Sequence, residues 1–338
     1  MTPKLKTVFG VLASAALAAG AFFALTQQGT KSGPEVLTED CFALDTFCTV
    51  TVYEGGNRES LEQIRELLYY YDGLFSCDAQ NSDLYRINHR ETEKVAIASE
   101  TAEMLLLAKQ TEKETERALL VSIRPLTKLW DIANRKTPPA DMEIQNAKKE
   151  SEEGSWEILR DGDACYFFSE DSFVQLETGA YAKGYIADRL KEKMKKAGIT
   201  SALIDLGGNI QTIGENPDGT GFRIGIRDPE NREGYKELAE VSDESVVTAG
   251  CYERFFEYEG KQYHHILDPG TGWPVGNGLA SVTVIGPSSF LCDAFSTAFY
   301  VMGEEKAAAF LKARNSRENE RYSAVFIFRD GTVRWNND

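Results

Sequence analysis

The run Glu177-Thr-Gly-Ala-Tyr-Ala-Lys-Gly-Tyr-Ile-Ala-Asp-Arg-Leu-Lys-Glu-Lys-Met-Lys-Lys-Ala-Gly198, continued by Ile199-Thr-Ser-Ala-Leu-Ile-Asp-Leu-Gly-Gly-Asn209, decides how the chain folds. Ile186, Leu190 and Met194 recur every four residues, which predicts an amphipathic helix over 181–197. Lysines crowd its last turns, where they complement the negative end of the helix dipole, and Gly198 is a natural C-cap. Residues 202–206 then read as a short apolar strand that stops at Gly207-Gly208. Upstream, 46–53 is rich in β-formers, while 61–71 and 101–120 carry helical spacing. The polar stretch 136–155, with Pro138 and Pro139, reads as a surface excursion, and 165–176 as a strand. Downstream, strands are expected at 221–227, 253–258 and 281–285, with a helix starting near Ser288. Helices and strands mix without a regular βαβ beat, so the fold class is α+β, in one large domain or two interleaved lobes.

Composition narrows the function. The 338 residues include 53 acidic and 37 basic side chains, for a formal net charge of −16, and only three histidines. With 42% hydrophobic and 11% aromatic residues, the chain can bury enough apolar surface to offset its ordering entropy. The acidity argues against a nucleic-acid partner, because binding through counterion release needs a basic face. It also means that an anionic substrate needs a local source of positive potential.

The first 33 residues differ from the rest. Lys4, Lys6 and Lys31 are their only charges, so the remaining 34 basic and 53 acidic residues leave the body at −19. Residues 8–26 form an uncharged apolar run behind a positive flank, the pattern of an export signal. Its length lies between a signal-peptide core and a spanning helix, and the flanking lysines would keep the N-terminus inside. Residues 1–33 are therefore expected to be an uncleaved membrane anchor in preference to a cleaved signal, with a buried core helix as the alternative. Residues 34–338 would form one extracytoplasmic domain, held without a lipoprotein cysteine. Cys41, Cys48, Cys77, Cys165, Cys251 and Cys292 contain no C-x-x-C, and their spacing leaves pairing open.

Four segments can carry chemistry. In Glu177-Thr-Gly-Ala-Tyr-Ala-Lys-Gly-Tyr185, a strand enters a helix through small residues; the helix N-terminus and Lys183 suit a phosphate, and a tight turn is the alternative. Asp205-Leu-Gly-Gly-Asn209 lets a ligand approach closely or makes a hairpin-like turn. Tyr263-His-His-Ile-Leu-Asp-Pro-Gly-Thr-Gly-Trp273 holds two of the three histidines; zinc is disfavoured, leaving a general base, a positioning role or a structural histidine. Asp293 and Thr297 are i and i+4 on the helix expected near Ser288, two oxygen donors suited to Mg2+, or a helix-start carboxylate with a back-bonding threonine.

Together these segments resemble the ApbE family, the FAD:protein FMN transferases. The matching pieces run in the family's order: Leu44-Asp-Thr46, Phe75-Ser-Cys-Asp-Ala-Gln-Asn-Ser-Asp-Leu-Tyr-Arg-Ile-Asn88, Arg124-Pro-Leu-Thr-Lys-Leu-Trp130 and Ala182-Lys-Gly-Tyr185. Asp205-Leu-Gly-Gly-Asn209, Thr248-Ala-Gly-Cys-Tyr-Glu-Arg254, His264-His-Ile-Leu-Asp-Pro269 with Thr271-Gly272, Asp293-Ala-Phe-Ser-Thr297 and Val301-Met-Gly303 follow. The resemblance implies a T-fold-like α+β architecture of mixed sheets with packed helices. It also implies Mg2+-dependent transfer of FMN from FAD to a Thr or Ser hydroxyl of an exported acceptor flavoprotein, with release of AMP. It places metal ligands at the Ala180 carbonyl, Asp293 and Thr297, and FAD contacts at Leu44, Asp78, Ala118, Leu119, Leu120, Glu177, Lys183 and Leu267. The family's histidine matches His265, expected to deprotonate or orient the acceptor hydroxyl. The chain departs from the pattern at Cys77 (for Thr), Asp78 (for an aromatic), Leu120 (for Asp), Arg124 (for Gly) and Glu177 (for Asp). Hydrolysis of FAD to FMN and AMP at the same site, or flavin binding without catalysis, are the alternatives.

Overall fold

Cys48, Val50 and Val52 are buried at every second position of Thr46–Glu54, which marks that segment as a strand with one face on a core. It belongs to a sheet of eight antiparallel strands whose spatial order follows the chain: Leu37–Ala43, Thr46–Glu54, Ser201–Leu206, Asn209–Ile213, Ser245–Gly250, Leu279–Gly286, Ser323–Phe328 and Val333–Asn336. This computed structural model describes residues 36–337 apart from 232, so the expected anchor or signal over 1–33 lies outside the described residues. Within them, no helix is long and apolar enough to cross a membrane.

Every residue of Leu279–Gly286 is buried, because the sheet is covered on both faces. On one face, Val247, Val282 and Val284 meet the helices Ala182–Lys196 and Ser289–Met302 in the main core. On the other, Val246 and Ile285 pack against the hairpin Phe222–Arg227 and Tyr235–Val241. A three-stranded sheet (Lys94–Ile97, Ala164–Phe168, Glu157–Asp161) and the hairpin Phe255–Tyr258/Lys261–His264 complete the β structure. The α+β class holds, with one correction: strand pairing is antiparallel throughout the described sheets rather than mixed.

Three other expectations change. The helix expected over 101–120 is Ser99–Glu114. Thr115 bonds back to the Thr111 carbonyl and Glu116 and Arg117 take left-handed backbone, so the helix stops there and frees residues 118–120 as a connection. The polar stretch 136–155 contains the helix Asp141–Glu153, whose N-terminus is closed by Glu143 accepting the Ala140 N–H and whose Ile144, Ala147 and Ser151 are buried. The strand expected over 165–176 covers only Ala164–Phe168. The six cysteines are free thiols.

The two core-facing helices touch almost backbone to backbone. A Cβ on Gly184 would lie 2.4 Å from the Ser289 carbonyl oxygen and 2.7 Å from the Phe290 Cα, so only glycine permits this approach. One turn on, Asp188 accepts from the Ser289 N–H at 2.8 Å, the Phe290 N–H at 3.0 Å and the Ser288 hydroxyl at 2.8 Å. The first helix thereby caps the second.

Candidate active site

Asp293 is 6% exposed, and its Oδ2 accepts the Gly184 N–H at 2.9 Å. Burial pushes its carboxyl above the usual range, while the Lys183 charge and the Gly184 N–H pull the other way. Asp293 thus joins the start of one helix to the first turn of the next. Thr297, half-buried one turn on, makes no side-chain hydrogen bond among the described residues; Ser296 instead bonds back to the Asp293 carbonyl at 2.8 Å. Ala180 lies in the turn before Ala182–Lys196, where the Thr178 carbonyl accepts from both the Tyr181 and Ala182 N–H groups. Beside it, the buried Tyr181 hydroxyl has no partner among the described residues. No group of three or more His, Cys, Asp or Glu able to hold a metal occurs among the described residues. The donors expected there, the Asp293 carboxylate, the Thr297 hydroxyl and the Ala180 carbonyl, are hard oxygens, whose chemistry suits Mg2+ rather than a softer metal.

Lys183 sits in the first turn of its helix, half-buried, and forms no ion pair among the described residues. Its charge acts on Asp293, Asp205 and His265 together. Asp205 ends its strand by accepting the Gly208 N–H at 2.7 Å. The turn Gly207-Gly208 joins two paired strands, as the hairpin reading expects, with both φ angles positive at 65° and 93°. A Cβ on Gly207 would meet the Thr46 hydroxyl at 2.2 Å, which locks this turn against the strand that follows Leu44.

The two histidines separate cleanly. His264 is 1% exposed, with Nε2 2.9 Å from the Val275 carbonyl and Nδ1 accepting the Ile266 N–H at 3.3 Å. Burial lowers its pKa to about 4, so it is a neutral structural residue. His265 is exposed, with Nδ1 3.3 Å from the Arg254 carbonyl. The protein mass around the ring disfavours its cation, and Arg254 and Lys183 repel it further; solvent reaching the ring tempers that shift. It is neutral at pH 7, as a proton acceptor must be.

The expected FAD contacts come from several separate segments. Leu44 and Asp45 make a two-residue hairpin turn with φ of 55° and 56°, and the Leu44 N–H donates to Asp72 Oδ1 at 3.1 Å. Leu119, Leu120 and Leu267 are buried, so backbone groups are what they offer a polar ligand. The Glu177 N–H bonds the Val121 carbonyl at 2.8 Å, drawing residues 118–120 beside the segment that leads into the helix Ala182–Lys196. Arg124 pairs with Glu177 at 2.8 Å and with Asp78 at 3.3 Å. Leu267 packs in one cluster with Leu126 and Trp130 of the helix Arg124–Trp130.

The profile of the ApbE family matches residues 44–320. An FAD:protein FMN transferase of Klebsiella pneumoniae is 33% identical over 276 residues, covering 80% of this chain and 83% of that protein. The ApbE protein from Thermotoga maritima superposes with a TM-score of 0.79 at 26% identity, over 89% of this chain and 96% of that one. The flavin transferase ApbE from Vibrio cholerae does so with a TM-score of 0.76 at 25% identity, over the same shares of the two chains. The chain belongs to the ApbE family.

Within this ApbE site, sequence reading missed Asp188, Asp72 and the role of Arg124. Asp188 had a signal: it lies four residues after Gly184, on the same helix face. Asp72 had none, its partner being 28 residues away, and Arg124 stood out only as a departure from the family pattern, its pairing with Glu177, 53 residues away, being invisible in the chain.

Proposed function

We propose that this chain catalyses Mg2+-dependent transfer of FMN from FAD to a Thr or Ser hydroxyl of an acceptor flavoprotein, releasing AMP. The observation that carries the reading is the buried Asp293 carboxylate, tied to the Gly184 N–H and one helical turn from an unengaged Thr297 hydroxyl. A bound Mg2+, held by Asp293, Thr297 and the Ala180 carbonyl, would offset charge on the pyrophosphate oxygens. In the transfer, the acceptor hydroxyl oxygen forms a bond to the FMN phosphorus, and the bond from that phosphorus to the AMP oxygen breaks. Neutral His265 takes the hydroxyl proton or orients the hydroxyl. Lys183 and the helix start supply positive potential to the phosphates. Leu44, Asp78, Ala118, Leu119, Leu120, Glu177 and Leu267 line the remainder of the FAD site.

The lysine-flanked apolar run supports export, with residues 1–33 as anchor or signal and the acceptor on the same outer side of the membrane. Asp293→Ala tests the reading. AMP release from FAD with Mg2+ and acceptor should fall by about a hundredfold or more, with the unfolding transition retained. Undiminished AMP release would refute the assignment.

A further inference from the structure

Glu177 and Asp78 hold one guanidinium between them. Arg124 Nη1 donates to Glu177 Oε2 at 2.8 Å, and Nη2 donates to Asp78 Oδ1 at 3.3 Å. The Thr127 hydroxyl donates to the same Glu177 oxygen at 3.2 Å, and the Cys77 thiol donates to Oε1 at 3.7 Å. Glu177 is therefore held at both oxygens, and it anchors Arg124 from the protein side. The outer partner is different: the Asp78 side chain is 87% exposed and its bond is the longer one. The Arg124 Nε–H and the second hydrogen on each terminal nitrogen have no acceptor among the described residues.

We propose that Arg124 is a specificity-determining residue for the adenosine end of FAD. Its unused N–H groups bind acceptor atoms of the adenosine, Glu177 positions the guanidinium, and Asp78 is the partner it gives up. This rests on the FAD reading above. Glu177 lies in the segment that leads into the helix carrying Lys183, and Arg124 is bonded to it, so Arg124 borders the path into the helix start where a dinucleotide pyrophosphate would sit. An exposed ion pair contributes little, so exchanging Asp78 for a ligand acceptor costs little. A charge-assisted bond from a guanidinium that is itself only 20% exposed contributes more. Arg124 also cancels one of two negative charges that would otherwise repel a phosphate-bearing ligand. A lysine could restore that charge but not the fixed fork of donors.

The test compares FAD with FMN, which lacks the adenosine end, by titration calorimetry on the full chain with Mg2+. Arg124→Met should raise the Kd for FAD about tenfold while leaving that for FMN within about twofold, and the transfer assay should show the loss in KM for FAD rather than in kcat. Arg124→Lys should recover only part of the loss, and Asp78→Ala, which removes the outer acceptor of the guanidinium and a negative charge, should tighten FAD. Equal FAD affinity in wild type and Arg124→Met, or an equal loss for FMN, would overturn the proposal. Should Arg124→Met not fold, Asp78→Ala decides: weaker FAD binding refutes the exchange. A wild-type chain that cleaves no FAD would instead refute the functional reading, while the FAD-to-FMN ratio would still report on Arg124.

Discussion

His264 and His265 are neighbours in sequence with opposite fates, and burial decides which can do chemistry. His265→Ala should lower transfer at pH 7 while leaving the unfolding midpoint within error, and unchanged turnover would remove its proton-handling role. His264 should report through stability instead. Its pKa of about 4 lies below the ordinary histidine value of about 6.5, so the unfolded chain binds the extra proton between those values. The stability it contributes is complete above about pH 6.5 and is lost as pH falls toward 4, on the order of 3 kcal/mol. Urea unfolding at pH 7 and pH 5 should show a difference that shrinks in His264→Gln; an equal difference in both proteins would contradict it. The adjacent pair was visible in the sequence. Which member is buried was not, because that depends on Val275, a strand bridge away.

The site owes its geometry to the contact between Ala182–Lys196 and Ser289–Met302. Gly184→Ala places a methyl against backbone that cannot yield as a side chain would, so the helices must part, at a cost of about 2 kcal/mol or more. Since the Gly184 N–H also holds Asp293, FAD cleavage should fall more than stability does. Asp188→Ala removes the acceptor of three hydrogen bonds at the second helix start and should cost about 2 kcal/mol, measured by urea unfolding. The double variant should lose less than the sum, because both changes loosen one interface; strict additivity would show that the two contacts act separately. Both helices were legible from their periodicity and caps, Gly198 in one and Ser288 in the other. The Asp141–Glu153 helix was hidden by its polarity, having only Ile144 and Ala147 as buried apolar residues. The link between Arg124, Glu177 and Asp78 was illegible because ion pairs between remote segments leave no local periodicity.

For the molecule as a whole, the charge sets the problem that the site solves. A formal charge of −16 opposes any polyanion, yet Lys183 and the helix start gather positive potential at one point, and Arg124 offsets part of the charge of Glu177 and Asp78 beside it. A metal ion at Asp293 would complete that local field, which is why transfer should require Mg2+ and stop when it is chelated. The α+β class and the order of the chemical segments were legible because each segment is local. The antiparallel sheet that assembles them was not, since its pairings join strands as distant as Thr46–Glu54 and Ser201–Leu206. The most direct test is the intact mass of an acceptor flavoprotein after incubation with this chain, FAD and Mg2+. Covalent addition of one FMN at a Thr or Ser, with matching AMP and dependence on Asp293, is the predicted result. FAD cleaved equally fast with and without acceptor, with all FMN left free in solution, would contradict transfer and identify a hydrolase.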